Sequence, residues 1–176
     1  QSDDSERTEF LPSLDPFLCT KEEALARVRE AGIVGMGGAA FPTHVKLNPP
    51  AGKTIQYVIA NAAECEPYLT IDERTIAEMP QKLVDGIAIA MKITGASSGI
   101  IALEDNKKHL VPLLQKTIDN YLHASPISIR LCKTKYPQGG EKNITQAVLG
   151  REIPTGGLPA DIGCLIDNVG TLCAIS

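Results

Sequence analysis

The sequence has no apolar run near the roughly 20 residues that a helix needs to cross a bilayer, and no visible signal peptide. These two absences predict a soluble piece of protein. It also has no sustained basic stretch, and its formal net charge is −4. Because nucleic-acid-binding proteins neutralise phosphates with clustered lysines and arginines, this composition argues against a nucleic-acid partner.

Metal-ligand patterns are missing as well. No two of the five cysteines lie at the short spacings of a zinc or iron–sulfur motif. An odd number of cysteines without a secretory signal predicts reduced thiols in a cytosolic compartment. The sequence therefore predicts no metal site in this chain.

The chain is long enough for a single core. It has 176 residues, of which 43% are hydrophobic, and this length favours one domain over two. Its first residue is Gln1, and the residues that follow are polar and acidic. We therefore expect a disordered or extended lead-in over residues 1–19 and a single domain over residues 20–176, as a fragment of a larger chain.

The most unusual stretch is residues 35–46, in which four small residues in a row follow shortly after Gly35. Because glycine has no Cβ, such a backbone can lie flat against a planar or phosphorylated ligand. A ring at Phe41 and an ammonium group at Lys46 suit an aromatic, anionic ligand. The alternative is a flexible turn, the more common role of an isolated glycine-rich loop.

Around this loop, strand and helix patterns alternate. Strands are predicted at 55–60, 100–103, 127–131 and 163–166, and the first two are expected to be buried. Helices are predicted at 20–31, 71–78, 80–94 and 106–122, with a further helix that follows residue 142 and ends at Leu149 and a last one that starts near Thr171. The strand at 127–131 alternates apolar and polar residues, so we expect it at a sheet edge. Pro112 is expected to distort the start of its helix. This alternation implies an α/β fold with a parallel sheet of about four strands and helices on both faces.

Each predicted strand ends in a polar cluster. The clusters are residues 61–66, 104–106, 133–142 and 167–171. Loops are polar in any case, so one cluster alone would mean little. Because ligands of parallel sheets bind at the carboxyl ends of the strands, the four clusters and the glycine loop together predict a nucleotide-sized site.

Four stretches are recognisable as a set. Residues 35–46, 61–68, 135–142 and 168–171, in this order, resemble the C subunit of the Rnf ion-translocating ferredoxin:NAD oxidoreductase complex. The match spans nearly all of residues 20–176. The same four blocks look more distantly like the flavin- and NADH-binding subunit of respiratory complex I. The resemblance implies a Rossmann-like domain with its glycine-rich flavin loop before the first strand.

The resemblance also implies a site for FMN and NAD(H). Its matching positions are Gly35, Gly37, Gly38 and Lys46 in the flavin loop; Phe41, the aromatic that meets the dinucleotide; Asn61 and Glu64, which line the flavin; Glu66, which faces NADH; Tyr136, Gly140 and Glu141 in the next loop; and Asn168 and Thr171 at the flavin phosphate end. A helix that opens at Thr171 would offer its hydroxyl and free N–H groups to the phosphate. No catalytic residue is implied, because the hydride chemistry belongs to the cofactors.

The implied function is that of an electron-transfer module. It would exchange a hydride with NAD(H) and pass electrons to or from 4Fe-4S clusters outside this fragment. The resemblance places it as a peripheral subunit on the cytoplasmic side of a membrane complex, and the other subunits of that complex would be its partners. One alternative is the related flavoprotein that reduces cobalamin in propanediol-utilisation microcompartments. Another is a scaffold domain that has lost its cofactor and serves only for docking.

Three positions depart from the complex I pattern. Met36 replaces an arginine, Ala40 replaces the last glycine, and residues 47–49 lack an aromatic ring after the lysine. The first change removes a cation near the nucleotide, and the third removes an adenine contact. The scaffold alternative rests on the first two changes.

Overall fold

The computed structural model describes residues 11–123 and 125–176. Most of the predicted lead-in, residues 1–10, lies outside the described residues. Of its remainder, residues 16–19 form a turn, and Lys92 donates hydrogen bonds to the carbonyls of Pro16 and Cys19 at 2.7 and 2.8 Å. This end of the lead-in is thereby held against the domain.

Four parallel strands form one sheet in the order β3-β2-β1-β4. They are β1 (Tyr57–Ala62), β2 (Ser98–Glu104), β3 (Ile127–Cys132) and β4 (Cys164–Asn168). The register pairs Asn61 with Asn168, so two predicted site residues lie side by side at the carboxyl edge. The predicted parallel α/β sheet and the edge position of the third strand are confirmed.

Seven α-helices and two short 3-10 helices lie in the described residues. They are α1 (Lys21–Glu30), α2 (Thr43–Lys46), α3 (Ile71–Glu78), α4 (Pro80–Thr94), α5 (Val111–Asp119), α6 (Glu141–Leu149) and α7 (Val169–Ile175), with 3-10 turns at Asp105–Leu110 and Pro159–Ile162. None of the helices in this described part of the chain is long and apolar enough to cross a membrane.

Local sequence signals explain several of these boundaries. Thr20 caps α1, and Glu23 completes the capping box by accepting from the Thr20 N–H at 2.8 Å. Proline opens α4, and Gly95 ends it with φ +75°, a left-handed conformation that favours glycine.

The strand ends differ from the predicted ones by a few residues, and three helices differ more clearly. The helix expected over residues 106–122 is divided into a 3-10 turn and α5, because Pro112 has no N–H for the preceding turn. The last helix begins at Val169 instead of near Thr171. The one-turn helix α2, which starts directly after Pro42, was not predicted.

The core lies on both faces of the sheet. Residues of α1, α4, α5 and α7 pack against one face around Val58, Ile101 and Leu165. Ile144 of α6 packs against the other face with Ile59. Because both faces are covered, β1, β2 and β4 are largely buried, whereas the edge strand β3 is partly exposed. The predicted helices on both faces are confirmed.

Candidate functional site

The glycine loop, residues 35–46, has a defined shape. The Gly35 N–H donates to the carbonyl of Phe41 at 2.8 Å, and the Thr43 N–H donates to that of Ile33 at 3.1 Å. Gly38 has φ +112°, and Ala40 has φ 50°, which is unusual for a residue with a Cβ. These bonds close the base of the loop and leave its glycine backbone exposed.

This loop rests on the end of β4 and the first turn of α7. The Met36 N–H donates to the hydroxyl of Thr171 at 2.9 Å. A Cβ added to Gly37 would make an ordinary contact with the Cβ of Asn168 at 3.5 Å, so the loop at Gly37 lies beside the end of β4. The predicted flavin loop and the predicted phosphate end are therefore neighbours.

Lys46 joins two further segments to the loop. Its Nζ lies 3.1 Å from Glu141 Oε1 at the start of α6 and 3.3 Å from Asp167 Oδ1 in β4. Burial raises the pKa of Asp167, while the charge of Lys46 opposes the rise and that of Glu141 adds to it. Asp167 was predicted within a polar strand end but not as a site residue.

Asn61 connects β1 to the loop over residues 133–142. Its Nδ2 donates to the carbonyl of Gly139 at 2.8 Å, and its Oδ1 accepts from the Ala63 N–H at 3.1 Å. A Cβ at Gly139 would lie only 2.5 Å from the carbonyl oxygen of Ala63. Glycine is therefore required where these two loops touch.

Glu64 is placed in the interior. Its carboxylate accepts from the N–H groups of Asp72 and Glu73 at the start of α3, at 3.1 and 3.5 Å. The buried Lys107 lies 3.4 Å from Glu64 Oε2 and 3.6 Å from Glu104 Oε2. The carboxylate predicted to line the flavin thus accepts hydrogen bonds from the start of α3 and forms an ion pair with Lys107.

The buried ion pair of Glu104 and Lys107 was not predicted from the sequence. Burial raises the pKa of Glu104, and the neighbouring Lys107 opposes this rise. The only sequence signal was a charged residue directly after an apolar strand, which is also what an exposed loop looks like.

Asn168 and Thr171 both make internal contacts. Asn168 Oδ1 caps α7 by accepting from the Gly170 N–H at 2.8 Å, and its Nδ2 donates to Asp72 Oδ2 at 2.9 Å. Burial raises the pKa of Asp72, the bond from Asn168 opposes the rise, and the charge of Glu64 adds to it. Thr171 is 0% exposed, and its hydroxyl accepts from Met36.

The remaining predicted residues are at the surface of their loops. Phe41 is 50% exposed and Tyr136 is 74% exposed, and Glu66, Gly140 and Glu141 are also exposed. Tyr68, which was not among the predicted site residues, is fully exposed, with φ 68°. Aromatic rings and carboxylates are therefore accessible around the edge that the buried residues hold together.

A cavity of about 400 Å³ lies beside this edge. Met36, Asp72, Asn168 and Gly170 line the side nearest the glycine loop, and residues of α3, α4 and α7 line the rest. Its size falls within the range of small-molecule sites. No cluster of side chains suited to a metal ion occurs in the part of the chain that the structure describes.

The fold and the site together define a class. A parallel α/β sheet with polar groups converging at its carboxyl edge and an exposed glycine backbone is the architecture of a nucleotide-binding domain. Residues 28–176 match the model of the Nuo51 FMN-binding domain family. The chain belongs to that family.

Curated relatives carry the same resemblance. The chain is 47% identical over 155 residues to the C subunit of the proton-translocating ferredoxin:NAD(+) oxidoreductase complex of Clostridium ljungdahlii, covering 88% of this chain and 33% of the relative. It is 44% identical over 169 residues to the Na(+)-translocating counterpart of Acetobacterium woodii, covering 94% and 38%. The predicted resemblance to Rnf C subunits is confirmed, and the chain spans about a third of the length of these relatives.

A solved structure supports the fold. A chain of an NAD+-reducing [NiFe]-hydrogenase in the H2-reduced state matches with a TM-score of 0.79 and 26% sequence identity. The match covers 89% of this chain and 30% of the hydrogenase chain. The Rossmann-like α/β architecture is therefore shared with an enzyme that reduces NAD+.

Proposed function

We propose that residues 20–176 form a domain that binds FMN at the carboxyl edge of the sheet and exchanges a hydride with NAD(H). The observation that carries this proposal is the convergence of the four family motifs on one edge. Lys46 reaches Glu141 and Asp167, and the Asn61 side chain holds the loop at Gly139. Segments that are far apart in the sequence thus contact one another at the carboxyl edge of the sheet.

The residues present fit a flavin. Gly38 is exposed, and a Cβ added there would meet no atom within 4 Å, so its backbone faces open space. An aromatic ring system can approach such a backbone closely. The buried Oδ2 of Asp167 has no hydrogen-bond partner among the described residues, so this edge also retains an unused polar atom.

When bound, FMN would supply the chemistry, namely hydride acceptance from a nicotinamide and electron release toward iron–sulfur clusters. The chain itself positions the reactants. The exposed ring of Phe41 would stack on the dinucleotide, and Glu66 would accept hydrogen bonds from ribose hydroxyls. Lys46 offsets negative charge, and the Met36–Thr171 bond holds the loop in place. No side chain is needed as a general base.

The wider role follows from the names of the relatives. We infer that the full protein is a peripheral subunit on the cytoplasmic side of a membrane ion-translocating complex. It would exchange electrons with ferredoxin through 4Fe-4S clusters that lie outside residues 1–176, and other subunits of the complex would be its partners.

The test is direct. The purified chain is titrated with FMN while quenching of flavin fluorescence is followed, and NADH is then added without oxygen while flavin absorbance is recorded. We expect saturable binding and then bleaching. A colourless protein whose melting temperature ignores FMN would support the scaffold alternative instead, because a ligand that binds only the native state must stabilise it.

A matched pair of glycine variants tests the location. Gly38→Val places a side chain on the exposed loop and should abolish FMN binding. Gly52→Val is the control, since Gly52 also has positive φ and open space around it but lies in the turn before β1. Equal loss of binding in both variants would contradict the proposed site. Reduction of cobalamin by the NADH-reduced protein would favour the microcompartment alternative.

A further inference from the structure

Asp167 is the buried carboxylate closest to Lys46. It lies in β4 directly before Asn168, and its side chain is 3% exposed. Oδ1 is 3.3 Å from Lys46 Nζ, and Oδ2 has no hydrogen-bond partner among the described residues. A buried carboxylate normally satisfies both oxygens, so one ion pair leaves this group poorly compensated.

Lys46 faces a second carboxylate at the same time. Its Nζ is 3.1 Å from Glu141 Oε1, on the more exposed side of the cluster. In the described part of the chain, Lys46 from α2 and Glu141 from α6 are the charged groups that face Asp167. One cation therefore lies between two carboxylates, and the cluster carries a net negative charge when both are ionised.

Lys46 is also more accessible than Lys107, the other lysine that pairs with buried carboxylates near this edge. Its side chain is 29% exposed, whereas Lys107 is 5% exposed and is engaged by Glu64 and Glu104. A lysine ammonium is a compact charge of the kind that binds phosphate. A phosphate that approaches Lys46 meets the repulsion of Asp167 unless that carboxylate carries a proton.

We propose that Asp167 is a positioning residue that sets how strongly Lys46 attracts the phosphate of the flavin nucleotide, with tight binding when Asp167 is protonated. This inference rests on the proposed function, because it assumes that FMN binds at this edge. When Asp167 is protonated, only Glu141 offsets the positive charge of Lys46, so Lys46 attracts the phosphate more strongly. The same proton removes one negative charge from beside the phosphate.

The direction of the pH dependence follows from the surroundings. Burial, the largest effect, raises the pKa of Asp167, and Glu141 raises it further, while Lys46 lowers it. A bound phosphate adds negative charge and raises this pKa again, so binding takes up a proton. The affinity for FMN should therefore fall as pH rises through the pKa of Asp167.

The experiment compares FMN with riboflavin, which lacks the phosphate, on the wild type and on Asp167→Asn. Dissociation constants are measured by fluorescence quenching from mildly acidic to mildly alkaline pH. We expect Asp167→Asn to bind FMN about tenfold more tightly than the wild type at alkaline pH and equally at acidic pH. Riboflavin should show no such difference. The second ionisation of free FMN is the same in both titrations, so a difference between the two proteins reports on the site.

A second variant keeps the test independent of the folding of Asp167→Asn. Glu141→Gln changes an exposed side chain, and removing its charge lowers the pKa of Asp167. The midpoint of the pH dependence should then shift to lower pH. Asp119→Asn, on α5 and exposed, removes a carboxylate outside this cluster and should leave the midpoint unchanged.

The outcomes separate the two proposals. If the wild type binds neither FMN nor riboflavin, the proposed function fails. If it binds both, but Asp167→Asn or Glu141→Gln shows the wild-type pH dependence, the role of Asp167 is overturned while the function stands. A pH effect of equal size with riboflavin overturns the assignment to the phosphate.

Discussion

The main-chain N–H of Met36 donates to the buried hydroxyl of Thr171 at 2.9 Å, across 135 positions of sequence. The Met36 side chain lies over the same turn, since a Cβ at Gly170 would be 3.1 Å from its sulfur. The residue that replaces the arginine of the complex I pattern therefore packs on the start of α7. Glycine at position 170 leaves room for it.

Removing the Thr171 hydroxyl should release the glycine loop. Thr171→Val keeps the volume but leaves the Met36 N–H without its acceptor, which should lower the free energy of unfolding by about 1 kcal/mol. Flavin affinity should fall as well, because the loop loses its anchor. Urea unfolding and FMN titration measure the two effects.

The control for this variant is Thr145→Val. Thr145 is equally buried, but its hydroxyl donates to the carbonyl of Glu141 within its own helix, so no loop depends on it. We expect FMN affinity close to that of the wild type. If Thr171→Val also retained wild-type affinity, the loop would not need this anchor.

Ala40 occupies a conformation that favours glycine. Its φ is 50°, and a Cβ in the left-handed region costs about 1–2 kcal/mol. Ala40→Gly removes that cost but gives the unfolded chain more freedom, so we expect a net stabilisation of about 0.5 kcal/mol. Thermal unfolding of the variant measures the change.

Ala39→Gly is the matched control for this change. Ala39 is not among the described residues with positive φ, so glycine there brings only the entropic cost and should destabilise the protein. A lower melting temperature for Ala40→Gly than for the wild type would contradict the strain at this position.

Much of the framework could be predicted because it depends on local patterns. The period of apolar residues located the strands, and proline at position 80 with Gly95 located both ends of α4. The convergence of strand ends at one edge follows from parallel connections alone. The order of the motifs then identified the family.

The partners within the site could not be predicted. Lys46 bonds to Glu141 across 95 positions, and this pairing depends on how α2 and α6 are packed. Glu64 resembles any loop carboxylate in the sequence, and only the fold shows that Lys107 and the first turn of α3 surround it. Asp167 was seen as the polar end of a strand because periodicity indicates a buried face but not the charge that lies opposite.

The last prediction concerns the buried carboxylate Glu104. Its raised pKa means that the folded state holds a proton more tightly than the unfolded state does. Stability therefore falls as pH rises from the ordinary glutamate value of 4.5 through the raised pKa. Glu104→Gln removes this contribution, so the fall should become shallower while Asp72 and Asp167 maintain the remainder.

Glu23 provides a control of the opposite sign for Glu104→Gln. Its bonds from Thr20 lower its pKa, so it contributes stability above its unfolded pKa that is lost as pH falls through the lowered one. Glu23→Gln should therefore change the pH dependence of stability below the unfolded pKa of glutamate, where Glu104→Gln leaves that pH dependence unchanged. Urea unfolding across pH measures both variants. An unchanged slope in Glu104→Gln would mean that Lys107 keeps Glu104 ionised throughout, because the ion pair then outweighs the burial of the carboxylate.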